Sequence, residues 1–179
     1  MFKLNKSVNE NAVKKDFFKK EKVISKKYVA FNLDVNPENM FIISNFLEVK
    51  LPEKNNQTFI LTKLNRSFFD LLNNPDEVLF FCSRLNLKEF NKIQNFNLLG
   101  IALSERVLEK NEDLYKIVKS KTKVKFKNNH CKILLFKEND NFYVVEGSGN
   151  PSINARNEFY IIHNNEVLYS QIKKTFEDA

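Results

Sequence analysis

The chain alternates between short apolar runs of strand length and longer stretches with helical spacing. Glu77–Cys82 is almost continuously apolar, which is typical of a strand that is covered on both faces of its sheet. Apolar positions at helical spacing predict a short helix over Leu87–Ile93, a longer one over residues 104–120, and a C-terminal one over Glu166–Glu177. Strand-like and helix-like segments follow one another in turn, as in α/β domains.

Further strands are predicted from apolar runs that are bounded by proline, asparagine and other polar residues. They cover residues 27–33, 58–62, 96–103 and 159–162, with a short helix at 67–72 and an apolar element of undecided type at 40–43. Two more runs, 132–136 and 142–146, flank the polar segment 137–141 and predict a β-hairpin. The predicted fold is therefore an α/β layered sandwich, in which a mixed β-sheet is flanked by helices.

The length of 179 residues is enough for one well-buried core and too short for two. A hydrophobic content of 42% with 18 phenylalanines indicates a globular domain rather than a disordered chain. Residues 1–26 are predicted to be a basic N-terminal arm, in which 11–20 can form a short helix. Residues 27–179 are predicted to form a single domain.

The formal net charge of +7 changes this picture by favouring an anionic partner, and we expect that partner to be nucleic acid. Solubility in a lysine-biased proteome is the alternative explanation of the charge. Lysines at 121, 123, 125 and 127 alternate with other residues, as on one face of a strand. They either protect an edge strand from unwanted pairing or bind phosphates, which makes Lys123 and Lys125 candidate substrate-binding residues.

Composition also bears on the compartment. Cys82 and Cys131 are too few for a disulfide framework, which suits a reducing environment. No apolar run reaches the ~20 residues that span a bilayer, and the N-terminal residues lack the apolar stretch of a signal peptide. We therefore expect a cytoplasmic protein without a membrane span. The abundance of Asn, Lys, Ile and Phe, with no Trp, indicates an AT-rich genome, bacterial or phage.

The strongest candidates for functional residues lie at the two ends of the predicted hairpin. His130 and Lys132 are one residue apart, so that on a strand their side chains would lie on the same face. A Gly147-Ser148-Gly149-Asn150 turn follows the hairpin, in a chain that has only two histidines and three glycines. An imidazole, an ammonium group and the donors of such a turn can together hold one phosphate group.

This arrangement resembles the signature of the phospholipase D-like superfamily, a His-x-Lys followed by an Asp and then by a Gly-Ser-x-Asn turn. Glu158, just before the predicted strand 159–162, extends the resemblance, because such proteins often carry a carboxylate there. The chain departs from the pattern at Lys137, where the family has Asp, and in a longer spacing before the Gly-Ser turn. The resemblance covers residues 124–162 and implies the family's layered fold for the domain.

The resemblance implies a phosphodiesterase that needs neither metal nor cofactor. His130 would be the nucleophile or the acid, with Lys132 and Asn150 holding the phosphate and Glu158 orienting His130. Ser148 and Gly149 would assist in substrate binding, as would Arg156, for which a salt bridge to Glu158 is the alternative. The reaction uses two histidines and the chain has one His-x-Lys, since no lysine stands two residues after His163. We therefore expect a homodimer, and a nuclease as the most fitting phosphodiesterase.

Other interpretations stay open. His130 can be a structural histidine, a Cys131–His130 pair is disfavoured because adjacent strand residues face opposite ways, and the histidines and cysteines lack zinc-ligand spacing. The whole domain can be a phospholipase D-like module that has lost full activity, as Lys137 indicates, and binds nucleic acid. It can also be a structural protein of a phage or another assembly.

Overall fold

The computed structural model describes residues 40–43, 46, 49–62, 67–152 and 155–178. These residues belong to one compact unit, Val35–Ala179. The predicted arm at 1–26 and the predicted strand at 27–33 lie outside the described residues.

Eight strands form one sheet in the described part of the chain, in the order β1-β2-β8-β7-β6-β3-β4-β5. They are β1 Met40–Ile43, β2 Gln57–Thr62, β3 Glu77–Cys82, β4 Leu98–Ser104, β5 Val124–Lys127, β6 Ile133–Glu138, β7 Asn141–Gly147 and β8 Phe159–Asn164. The pairs β1–β2, β3–β4 and β4–β5 are parallel, and the pairs that link them through β6, β7 and β8 are antiparallel. The mixed sheet expected from the sequence is confirmed.

Within the described ranges, four α-helices and a 3-10 helix with assigned bounds accompany these strands. They are the 3-10 helix Phe68–Leu71, then α1 Leu87–Ile93, α2 Glu105–Lys110, α3 Glu112–Lys121 and α4 Glu166–Glu177. Asparagine side chains fix three helix starts, because Asn86, Asn111 and Asn165 each accept a hydrogen bond from the main-chain N–H three residues later, at 2.9, 3.1 and 2.9 Å. The single helix predicted over 104–120 is therefore wrong: Asn111 ends α2 and caps α3.

The two faces of the sheet bury different clusters, because successive strand residues point to opposite sides. One face, with Phe80, Leu134 and Phe136, packs against residues of the 3-10 helix and of α1, α2 and α3. The other face, with Leu79 and Leu135, packs against α4. Helices thus pack on both faces of the sheet, and for this reason the sequence of β3 is almost continuously apolar.

The predicted hairpin is β6–β7, and its tip is tighter than expected. The strands extend to Glu138 and from Asn141, so Asn139 and Asp140 alone make the turn. Asn139 has a φ of 54°, the left-handed conformation that asparagine tolerates better than most residues. β5 is an edge strand of the sheet, as one interpretation of the lysine run required. Lys121 belongs to α3 rather than to β5, and Lys123 precedes the strand.

Strand directions bring many chain ends to one edge of the sheet. The carboxyl ends of β2, β3, β4, β5 and β7 lie there, together with the amino ends of β6 and β8, as the parallel and antiparallel pairings require. We call it the carboxyl edge. Ligands in α/β proteins bind outside the carboxyl ends of strands, so polar residues at this edge are candidates for function. No described helix is both long and apolar enough to cross a membrane.

Candidate active site at the carboxyl edge of the sheet

The segment 128–132 carries the candidate histidine along the carboxyl edge. It joins β5 to β6, which are separated in the sheet by β4 and β3, so it must cross the ends of both strands. Asn129 anchors this crossing: its side-chain amide donates to the carbonyl of Ala102 on β4 at 3.1 Å, and its Oδ1 accepts from the Cys131 N–H at 2.8 Å. His130 is exposed at this point of the crossing.

His130 and Lys132 contact each other, although not as strand neighbours. β6 begins at Ile133, so the expectation that both residues lie on a central strand is wrong. Lys132 extends the ladder by one step, because its carbonyl accepts from the Gly147 N–H at 3.2 Å, whereas His130 lies in the crossing segment. The Lys132 Nζ lies 2.9 Å from His130 Nδ1, 3.4 Å from Nε2 and 2.5 Å from the His130 carbonyl oxygen.

The Lys132 contact bears on the tautomer of the imidazole ring. A charged ammonium group has only donors, so it would donate to the ring nitrogen that it approaches most closely, Nδ1. In a neutral imidazole the ring proton would then be on Nε2. In this tautomer His130 presents Nε2–H as a proton donor, and it becomes a nucleophile through Nε2 only when the proton moves to Nδ1.

Lys132 is a buried lysine, with a relative exposure of 6%. Burial lowers its pKa below the ordinary lysine value, because a low-dielectric environment disfavours the charged form. The negative charge of Glu158 acts in the opposite direction, and the positive charge of Arg84 adds to the lowering.

The turn after β7 places Ser148 and Glu158 against each other. The Ser148 hydroxyl donates to Glu158 Oε2, and the Phe159 N–H donates to the same hydroxyl oxygen at 3.1 Å. Gly147 is needed for close approach and not for a positive φ. A Cβ at this position would lie 2.4 Å from the Phe159 carbonyl oxygen and 2.4 Å from the Tyr160 ring.

Glu158 therefore faces a partner other than the one that the resemblance implies. Within the described residues, the ring nitrogens of His130 are contacted by Lys132, and the carboxylate of Glu158 by Ser148. The described side chain that contacts the His130 ring is that of Lys132. The main chain of Glu158 is held by Thr62, whose hydroxyl accepts from the Glu158 N–H at 3.0 Å and donates to its carbonyl at 3.2 Å.

The side chain of Asn150 forms hydrogen bonds with the segment that follows β3, at the carboxyl edge. Its Oδ1 accepts three hydrogen bonds from the segment after β3: from the Ser83 N–H at 3.1 Å, the Ser83 hydroxyl at 2.9 Å and the Arg84 N–H at 3.0 Å. The predicted phosphate-holding residue thus fixes the main chain beside Lys132. Gly149, which precedes it, is buried.

Among the remaining predicted binding residues, Lys125 contacts the end of α4. The Lys125 ammonium group donates to the carbonyls of Phe176 and Glu177 at the end of α4, the latter at 2.8 Å, and lies 4.8 Å from the centre of the Phe176 ring. That contact stabilises the helix terminus and occupies the group, so the structure does not present Lys125 as part of the carboxyl edge. Lys123 and Arg156 are exposed.

Lys137, which stands where the family has Asp, lies at the far end of β6. It is five residue steps from Lys132 along the chain, about 16 Å at the usual rise of a strand. Its Nζ lies 5.4 Å from the centre of the Phe142 ring, and its carbonyl accepts from the Asp76 N–H at 2.7 Å. The departure from the motif therefore lies at the edge opposite to the candidate site.

Three residues at the site were not predicted: Thr62, Ser83 and Arg84. Each ends or follows a strand that the sequence did predict, at its carboxyl end. The rule that α/β sites form outside such ends was the signal that could have found them.

Within the described residues, His163 and the two cysteines do not form a second catalytic or metal-binding centre. His163 Nε2 lies 3.1 Å from Glu146 Oε1, near the opposite end of β8. Cys82 is buried and Cys131 is exposed. Across the described ranges, no group of three or more His, Cys, Asp or Glu residues could hold a metal ion.

Comparisons with known proteins reach only distant similarity. No family model matches the chain, and no curated protein matches it. Among solved structures, yeast tyrosyl-DNA phosphodiesterase is similar at 14% identity over 60% of this chain, with a TM-score of 0.41, and the match spans 30% of the yeast chain. TrmBL2, an archaeal chromatin protein with a novel mode of DNA binding, matches 94% of this chain and 64% of its own at 14% identity and a TM-score of 0.47.

A third similar structure is the polyphosphate kinase of Porphyromonas gingivalis, at 10% identity over 68% of this chain and 25% of its own, with a TM-score of 0.45. The chain thus spans about a third of the yeast enzyme and a quarter of the kinase. A function for this site therefore has to be inferred from this chain's own residues.

Proposed function

We propose that this protein is a phospholipase D-like, metal-independent phosphodiesterase of nuclease type, which acts through His130 at a homodimeric site. The observation that carries the proposal is the contact of His130 with Lys132 at the carboxyl edge. Ser148 and Glu158 lie at the same edge of the sheet, and so does Asn150, which supports the proposal that these motif residues serve one site.

Cleavage requires a nucleophile, a proton donor for the leaving oxygen and positive charge for the phosphate oxygens. His130 Nε2 attacks phosphorus, an N–P bond forms, and the P–O bond to the leaving group breaks. The leaving oxygen takes a proton from His130 of the partner subunit. Water then attacks phosphorus, that second histidine takes a proton from the water, and the N–P bond breaks to release the product and the free imidazole.

Lys132 couples substrate binding to the state of His130. In the free site the Lys132 Nζ contacts Nδ1, and a charged ammonium group there would leave the ring proton on Nε2, the form that donates a proton. A phosphate oxygen is a stronger acceptor for an ammonium group than a neutral ring nitrogen. Phosphate binding would therefore draw Lys132 from the ring, free Nδ1 to carry the proton, and turn Nε2 into the nucleophile.

The need for two histidines motivates the dimer. His163, the other histidine of the chain, is paired with Glu146 near the opposite end of its strand, so it does not serve the same site. A second copy of the chain would supply the missing His130 across a two-fold axis. We expect a dimer at micromolar concentration by light scattering, and a strict monomer would contradict this mechanism.

Nucleic acid is the proposed substrate because the chain carries a net charge of +7. Binding through phosphates releases counterions, so the affinity should fall steeply between low and physiological salt. An affinity that is unchanged over that range would contradict the electrostatic basis of the proposal.

The decisive test is cleavage of labelled DNA and RNA in EDTA by the wild type, His130→Ala and His163→Ala. General acid–base groups typically contribute ~10²–10⁴-fold, so His130→Ala should lose cleavage by at least that factor while it keeps its fold and binding. His163→Ala removes the same side chain at the other end of the sheet and should retain cleavage. Wild-type protein that binds but never cleaves would instead favour a binding module.

A further inference from the structure

An arginine outside the motif occupies the centre of the carboxyl edge. Arg84 follows β3, the strand that pairs with β6 through Phe81 and Ile133, and Ile133 is the residue next to Lys132. Strand pairing therefore puts the segment that contains Arg84 beside the buried lysine. The Arg84 residue is itself exposed.

The main chain at Arg84 is held in place from the motif turn. Asn150 Oδ1 accepts from the N–H groups of Ser83 and Arg84 at 3.1 and 3.0 Å, and from the Ser83 hydroxyl at 2.9 Å. Arg84 contributes one of these hydrogen bonds through its main-chain N–H, and the preceding Ser83 contributes two, so the Arg84 side chain extends from a main chain that is held at a defined position. Such pre-positioning lowers the entropy lost when a ligand is bound.

Within the described residues, the charge of Arg84 is not neutralised by a salt bridge. Its positive charge lowers the pKa of Lys132, although burial of Lys132 is the larger cause. Like charges at one site repel each other, and an anion that binds between them removes that repulsion.

We propose that Arg84 is a phosphate-binding residue of this site, which holds non-bridging phosphate oxygens beside Lys132. This inference rests on the proposed function and adds to it a residue that the motif does not contain. A guanidinium group presents two parallel N–H donors to a phosphate, whereas Lys132 acts as a point charge. The two groups would thus contribute different geometry to one anion, and Asn150 would act on the phosphate through Arg84.

The test measures binding of inorganic phosphate to wild-type protein and to three variants by NMR titration. Arg84→Ala removes the charge and the paired donors, and should weaken binding about 10- to 100-fold, the usual size of a lost charge-assisted contact. Arg84→Lys keeps the charge and should recover only part of that loss. Lys137→Ala removes an equal charge at the opposite edge of the sheet and should bind like the wild type.

Binding and cleavage separate this inference from the proposed function. If the wild type binds phosphate and Arg84→Ala weakens it while no variant cleaves DNA or RNA, the inference stands and the nuclease proposal falls. If the wild type cleaves and Arg84→Ala changes neither the Kd for phosphate nor KM, the inference is wrong and the nuclease proposal stands. A wild type that binds no phosphate overturns the inference directly, and equal weakening by Lys137→Ala does so too.

Discussion

The hydrogen bonds of Asn150 allow its structural role to be separated from its role toward phosphate. Asn150→Ala removes an oxygen that accepts three hydrogen bonds, two from part-buried Ser83 and one from the exposed Arg84 N–H. A hydrogen bond contributes about 0.5–1.5 kcal/mol, and the exposed donor can turn to water. The sum over the two part-buried bonds is a loss of about 1–3 kcal/mol in the free energy of unfolding.

Asn150→Asp keeps an acceptor oxygen at this position and should retain most of that stability. It also adds a negative charge beside Arg84 and Lys132, which opposes the binding of a phosphate. The two substitutions should therefore differ in kind: Asn150→Ala lowers stability, while Asn150→Asp chiefly lowers phosphate affinity.

Urea unfolding and phosphate titration of the same samples measure both effects. For a domain of this size, a loss of about 2 kcal/mol corresponds to a fall in Tm of about 4–8 °C. Asn97→Ala is the matched control, because its amide donates one exposed hydrogen bond, to the Asp76 carbonyl at 3.1 Å, at the opposite edge. If Asn150→Ala unfolds at the same urea concentration as Asn97→Ala, the network does not hold the segment after β3, and the argument for a pre-positioned Arg84 fails.

Three further predictions concern the site and its frame. Gly147→Ala should lower the free energy of unfolding by about 1–3 kcal/mol, because the new Cβ meets the Phe159 carbonyl; an unchanged urea midpoint would contradict this close approach. Burial lowers the pKa of Lys132, so phosphate affinity should fall with rising pH before an ordinary lysine would lose its charge, whereas Lys132→Arg should show no such fall. Lys137→Asp should leave cleavage within about threefold of the wild type, since about 16 Å of strand separates it from Lys132; a larger change would show that the motif Asp matters.

The lowered pKa of Lys132 also makes the stability of the fold depend on pH. A group whose folded pKa is lowered costs stability while it is charged in both states, and that cost is relieved as pH rises from the folded value to the unfolded one. Removal of the Lys132 charge by alkaline pH should therefore favour the fold and oppose phosphate binding. A buried lysine that binds phosphate should therefore make the free energy of unfolding rise with pH while the phosphate affinity falls.

Much of the fold could be predicted from local patterns because the elements are regular and their faces are buried. β3, α1 and α4 have the predicted bounds, since a two-sided apolar strand and helices capped by asparagine carry their signals locally. The break at Asn111 could not be predicted from the apolar stripe. It depends on one asparagine side chain that turns back to cap α3.

At the candidate site, the contact between His130 and Lys132 could be predicted from the sequence, whereas its geometry could not. The spacing of His130 and Lys132 predicted their proximity, yet it did so through a strand that begins only at Ile133. The partner of Glu158 depends on how the turn at Ser148 lies against β8, and a linear motif does not carry that information. Arg84 could not be predicted from the linear motif, because the pairing of β3 with β6 brings it to the site, and that pairing joins residues far apart in the chain.

The order of the strands explains why one edge collects this chemistry. β3, β4 and β5 run in parallel, and the chain then crosses their ends to start β6 in the opposite direction. A crossing of this kind must lie outside the carboxyl ends of the strands, in the position where α/β folds bind ligands. His130 lies in the crossing itself, and the segment after β3 lies beneath it. The topology thus requires an exposed loop over polar strand ends, and the sequence places an imidazole, a buried ammonium group and a fixed arginine there.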